Sequence, residues 1–102
     1  MLAAADAIDR LVDQGLQHDQ DAVAEVAVTI AKAQLVAERL TISAAERLFD
    51  TGGASATARA LNLDRHWRNV RTVATHSPLA YKAYAAGNYA INGVRPPANG
   101  YF

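Results

Sequence analysis

The stretch QDAVAEVAVTIAKAQLVAERLTISAAERLFDTGG, residues 20–53, decides the fold. Its apolar positions recur at Val23, Val26/Ala27, Ile30, Ala33, Ala37, Leu40, Ala44 and Leu48, the three-four rhythm of one helix face. Ser43 to Glu46 imitates a capping box, and Thr41-Ile42 is mildly unfavourable to a helix. The apolar phase nevertheless passes through both without a jump. The spacing predicts one helix from about 20 to 50, about 45 Å long. Asp19 is its expected N-cap, and Gly52-Gly53 its expected end. A helix this long in 102 residues must pack along most of its length, on its neighbours or on another subunit.

Working outward, Leu2, Ala5, Ile8, Leu11, Val12 and Leu16 predict a first helix over 2–16. Nothing before Leu2 supplies a cap, so this helix reads as cut from a longer one. Downstream, a short helix is expected over Ser55–Asn62. A further helix is expected from Arg65 to about Thr75 with Asp64 as its cap. The last helix is expected to run to about Ile91, capped by Ser77 with Pro78 in its first turn. Residues 94–102 read as an extended tail. The expected fold is all-α, an antiparallel four-helix bundle over 1–93 with the long helix against the last. Val26, Ile30, Ala37, Leu40, Leu48, Trp67 and Tyr84 are the expected buried positions.

Composition agrees with that class. The chain is 51% hydrophobic and 20% charged, which suits one globular domain and not a disordered segment. Its 23 alanines favour helix and let helix backbones approach closely. With no cysteine, disulfides and thiolate metal sites are excluded. No apolar run approaches the roughly 18 residues of a membrane span, and the start lacks a signal peptide's basic region. A cytoplasmic protein is the expectation. The net charge of zero hides an asymmetry: residues 1–50 hold nine acids and four bases, residues 51–102 one acid and six bases. The second half could face a phosphate, an acidic partner or its own acidic first half.

Three places could carry chemistry. The small-residue turn Gly52-Gly53-Ala54-Ser55-Ala56-Thr57 offers free amides and hydroxyls that could cradle a phosphate, or it is simply a helix end and a tight corner. Arg65, Arg68 and Arg71 share a broad helix face. They pair with the acidic half, lie solvated, or meet an anion; nucleic acid fits least, since the overall charge is not positive. His76 stands at a helix-to-helix junction, where an imidazole can titrate near neutrality or merely cap a helix. His18 and His66 have no partner spacing, and no cluster has metal-site spacing. Since no acidic side chain follows Asp64, general-base chemistry in this half falls to His76 or His66, or comes from elsewhere.

The runs Leu48-Phe49-Asp50-Thr51-Gly52-Gly53-Ala54-Ser55-Ala56, Leu63-Asp64-Arg65-His66-Trp67-Arg68-Asn69-Val70-Arg71-Thr72, His76-Ser77-Pro78-Leu79-Ala80-Tyr81-Lys82, Gly87-Asn88-Tyr89 and Asn92-Gly93 together resemble the C-terminal helical domain of flavoproteins with the acyl-CoA dehydrogenase fold. Within it, the pattern is most similar to the flavin-dependent monooxygenases that act on dibenzothiophene and other sulfur compounds. The resemblance is specific from Leu48 to Gly93 and compositional before that.

It implies a bundle domain of a larger flavoprotein, whose N-terminal helical and middle β domains lie outside these residues, and assembly into a dimer or tetramer. The turn at Gly52 and Gly53 would approach a flavin phosphate, commonly of an adjacent subunit. Some relatives carry arginine where this chain has Ala54-Ser55, so the contact would pass to backbone amides and Ser55. His76 would lie by the reactive edge of the flavin as the catalytic residue. The implied cofactor is reduced FMN supplied by a separate reductase, with FAD as the alternative, and the substrate a small molecule. True acyl-CoA dehydrogenases carry a glutamine where this chain has Phe49, and many take a base from the loop occupied here by Thr75-His76-Ser77-Pro78. An FAD-dependent acyl-CoA dehydrogenase is therefore the second reading, and a non-enzymatic helical interaction module the third.

Overall fold

A computed structural model describes residues 1–99 and 102. Four helices follow one another: α1 (Leu2–Asp13), α2 (Gln20–Gly52), α3 (Asp64–His76) and α4 (Leu79–Asn92). Two short 3₁₀ turns, Gly53–Thr57 and Arg59–Leu61, join α2 to α3, and no strand occurs among the described residues.

The long helix forms as expected, and its caps explain its ends. Asp19 Oδ1 accepts the amides of Asp21 at 2.9 Å and Ala22 at 3.1 Å, which satisfies two of the four orphan donors. The helix survives Thr41 because the threonine hydroxyl donates to the Ala37 carbonyl at 2.7 Å instead of competing for other backbone. It stops at Gly53, whose φ of 60° and ψ of −155° lie in a region open essentially to glycine alone.

The other ends differ from expectation for local reasons. α1 stops at Asp13 and not Leu16. Gly15 takes φ 68°, its amide donates to the Val12 carbonyl and the Leu16 amide to the Leu11 carbonyl, each at 2.9 Å. That is a Schellman closure, with glycine where the left-handed residue is needed. The segment expected as a helix over Ser55–Asn62 is the two 3₁₀ turns, divided at Ala58, whose ψ of 130° breaks the run. Asp64 lies inside the first turn of α3 and does not cap it; Leu63 holds the cap position. Asp64 instead bridges Arg68 at 3.3 Å, and its charge suits the positive helix end. Pro78 forces Ser77 into extended backbone (φ −123°, ψ 104°), which ends α3 at His76 and leaves Pro78 at the cap of α4.

The packing centres on α2. Each of the other three helices packs mainly on it, so the arrangement is a spine with helices laid along it. Two cross-links fix α4 antiparallel to the N-terminal half of α2: Lys82 Nζ to Gln34 Oε1 at 2.8 Å, and, past the end of α4, Arg95 Nε to Asp21 Oδ1 at 2.7 Å. α3 runs back along the C-terminal half, with Asp64 and Trp67 near Ile42–Phe49 and Arg71 bonded to Glu38 at 2.8 Å. The molecule is accordingly elongated, 53 × 27 × 21 Å.

The buried set corrects the expected one. The core is Ala4, Ala24, Val28, Ala31, Ala45, Ala56, Ala85 and Ala86, and no large side chain is fully buried among the described residues. The packed face of α2 therefore runs Ala24, Val28, Ala31, Ala45, turned from the stripe of larger residues. Val26, Ile30, Ala37 and Leu48 are half-buried, while Leu40 is 65%, Trp67 48% and Tyr84 69% exposed. Alanine wins the seam because three helices crowd one spine, and small side chains permit the closest approach. The larger residues are left on outer faces.

Candidate functional site

At the α2–α3 corner, each glycine has its own steric reason. A Cβ on Gly52 would stand 3.0 Å from the Ala56 Cβ, which is itself buried, a contact tight enough that the corner would have to give by a few tenths of an ångström. Gly53 supplies the unusual dihedrals described above. The hydroxyls of Thr51 and Thr57 donate to the Leu48 carbonyl at 2.7 Å and the Ala54 carbonyl at 2.8 Å. Among the described residues the Ser55 hydroxyl has no hydrogen-bond partner, and Gly52, Gly53 and Ser55 are all exposed. Gly52 is the last residue of α2, so its amide belongs to the helix ladder and the groups this helix end leaves free are carbonyls; the donor the corner offers to a phosphate oxygen is the Ser55 hydroxyl. The tight-corner reading of the glycines holds.

His76 is the last residue of α3 and is exposed. With Thr72, Val73 and Thr75 it lines a shallow open depression on the side of α3 turned away from α2. The Thr75 hydroxyl donates to the Arg71 carbonyl at 2.8 Å and is thereby held on its own helix. The glycine corner and His76 lie at opposite ends of α3, separated by about 18 Å along its axis. The chain does not bring them together, so they would meet different parts of one extended ligand or ligands of different subunits.

The arginine face resolves into three different situations. Arg71 crosses to Glu38, whose side chain is only 18% exposed. Arg68 bridges Asp64 and donates to Asn62 Oδ1 at 3.0 Å, a local arrangement that holds the left-handed Asn62 (φ 47°) at the entry to α3. Arg65 has no ion pair among the described residues. The expected pairing with the acidic half is thus made by Arg71 and, from the tail, by Arg95. Asp21 holds the Arg95 guanidinium pKa above its ordinary value through that hydrogen bond and the adjacent charge. No group of three or more histidines and acids could hold a metal among the described residues.

One residue escaped the sequence reading. Lys82 is 4% exposed, its ammonium bonded to Gln34 and standing 5.7 Å above the Phe102 ring. Its only signal in the sequence is the spacing to Ala85 and Ala86 on one helix face, which a lysine normally contradicts. None of the helices is long and apolar enough to cross a membrane among the described residues.

With this geometry in place, comparison with known proteins is direct. Residues 1–81 match the family model of the acyl-CoA dehydrogenase C-terminal domain. The chain is 39% identical over 77 residues to a probable FMNH2-dependent monooxygenase, SfnC, of Pseudomonas putida, covering 76% of this chain and 20% of that protein. It is 35% identical over 99 residues to the dibenzothiophene monooxygenase of Mycolicibacterium goodii, covering 89% and 24%. The corresponding enzyme of Rhodococcus erythropolis is 29% identical over 93 residues, covering 91% and 22%. The chain thus spans about a fifth to a quarter of the length of these relatives. No solved structure matches it significantly. The four helices on these caps and this corner, together with the match over residues 1–81, make the chain a member of the acyl-CoA dehydrogenase C-terminal domain family.

Proposed function

We propose that residues 1–93 are the C-terminal bundle domain of a reduced-flavin-dependent monooxygenase, with residues 94–102 as its tail. The observation that carries this reading is the 39% identity to a relative named as FMNH2-dependent, over 76% of this chain. The missing acid supports it: no carboxylate side chain follows Asp64, so the His76 junction holds no base of the kind an acyl-CoA dehydrogenase would place there.

In this reading the cofactor is FMN, with FAD the alternative, delivered reduced by a separate reductase. The assignment of Gly52, Gly53 and Ser55 to a flavin phosphate is supported by the exposed Ser55 hydroxyl as donor, with the two glycines keeping the backbone beside it bare. Bound reduced flavin would supply the electrons that activate oxygen for transfer to a small substrate. His76, exposed at the end of α3, would hold or return a proton at the reacting edge through its imidazole nitrogens. The protein works in the cytoplasm, where a reductase can reach it.

Self-association belongs to the same reading. Leu40 at 65%, Tyr84 at 69%, Val73 at 74% and Ile91 at 83% exposure lie on the outer faces of α2, α3 and α4. With a core built of alanines, these are the larger apolar side chains still available for burial, and a dimer or tetramer would cover them.

The deciding experiment sets oxygen-dependent product formation, with FMN and an external reductase, against anaerobic bleaching of flavin by an acyl-CoA. Product that requires both oxygen and reductase supports the proposal. Bleaching by the acyl-CoA alone would replace it with the dehydrogenase.

A further inference from the structure

We infer that the Glu38–Arg71 pair is a positioning device that aims His76; the inference rests on the catalytic role proposed for that histidine. α3 carries no buried residue. It touches the spine through the half-buried Val70 and Ala74, and Arg71 reaches across to Glu38 at 2.8 Å. A helix held this lightly is free to roll about its own axis unless something fixes its rotation. Apolar contact alone fixes it poorly, being non-directional. A charge-assisted hydrogen bond from a planar guanidinium is directional, and the partner here is the better buried group, with Glu38 18% and Arg71 46% exposed.

The helix geometry then transmits that direction. His76 is five positions on from Arg71, about 140° around the axis at 100° per residue. Fixing Arg71 towards α2 therefore fixes His76 away from it, in the depression shared with Thr72, Val73 and Thr75. The Thr75 hydroxyl bonded to the Arg71 carbonyl stiffens the intervening turn. A roll of α3 would swing the imidazole through an arc of several ångströms, and ångström-scale misplacement is enough to lower a rate substantially.

The test uses Glu38→Gln, Arg71→Met and the charge swap Glu38→Arg with Arg71→Glu. In this chain, amide hydrogen exchange over residues 65–76 should quicken roughly five-fold in either single variant while α4 is unchanged, and the swap should restore protection. In the holoenzyme, product formed per reduced flavin consumed should fall about 5–10-fold in the single variants and recover in the swap, with flavin affinity held. Equal exchange in the variants and the native chain overturns the inference. So does full coupling in Glu38→Gln when His76→Ala is uncoupled. If exchange quickens as expected but both His76→Ala and Glu38→Gln stay fully coupled, the pair still anchors α3. In that case the aiming role falls because its target, the catalytic histidine, has failed.

Discussion

Replacing Ala31 by leucine tests the alanine seam. Ala31 is 0% exposed on the face of α2 that meets α4. The register follows from Lys82 opposite Gln34 in antiparallel helices: three residues on, Ala85 faces Ala31. Ala85 and its neighbour Ala86 are 7% and 6% exposed, so the position has alanine on both sides and no space to receive a branched side chain. Three added carbons must push α4 outward or twist into a poor rotamer, at about 2 kcal/mol. For a domain near 100 residues that is a fall of roughly 8–16 °C in Tm. The companion variant is Leu40→Ala, which removes more apolar surface from a residue 65% exposed and should change Tm by only a degree or two in the dilute monomer. Thermal unfolding followed by circular dichroism at low micromolar concentration reads both. If Leu40→Ala were the more damaging variant, the packed face would be the stripe of larger residues, and the seam described above would be wrong.

Three further outcomes follow from particular features. Gly53→Ala places a side chain on a backbone of φ 60° and ψ −155° and should destabilise by about 1–3 kcal/mol, seen as a lower Tm and as weaker FMN binding in the holoenzyme. Arg95→Ala should free the tail from Asp21 and Gln20, read as faster thermolysin cleavage after Asn92. Because Arg95 has its pKa raised in the folded chain, its contribution is present at every pH below the ordinary arginine value and is lost only above it; tail protection should be flat between about pH 6 and 9 and should weaken with salt. Sedimentation at tens of micromolar should show a dimer or larger species, and Tyr84→Glu with Ile91→Glu should shift it towards monomer; a strictly monomeric native chain would refute the self-association.

The long helix was legible because its signal is redundant: eight turns of apolar phase, an aspartate before it and glycines after it all agree. The rotation of that helix was not legible. Its sequence is apolar on two faces, and hydropathy favours Leu40 and Ile30 over Ala31 although close approach between helices selects the alanine. The short joining pieces were misread for a related reason. Ser55–Asn62 has helical composition, but the Ala58 backbone breaks it, and no residue in the run announces that break. Pro78 did carry a signal, since it restricts the residue before it, and that restriction accounts for the end of α3 at His76. At the candidate site, the glycine corner and the exposed histidine stand where spacing placed them. Their separation along α3 and the Glu38–Arg71 tie needed tertiary structure, because the paired charges are 33 positions apart in the sequence.

His76 carries the functional account, and its replacement by alanine in the holoenzyme is the most direct measurement of it. Product formed per reduced flavin consumed should fall by roughly 10²-fold, with peroxide released in its place and reduced-flavin affinity little changed. A melting curve recorded on the same variant should be nearly native, because the side chain is exposed and closes no core contact. Normal coupling in a variant that has lost about 1 kcal/mol of stability would contradict the account and leave His76 a structural role at the end of a helix.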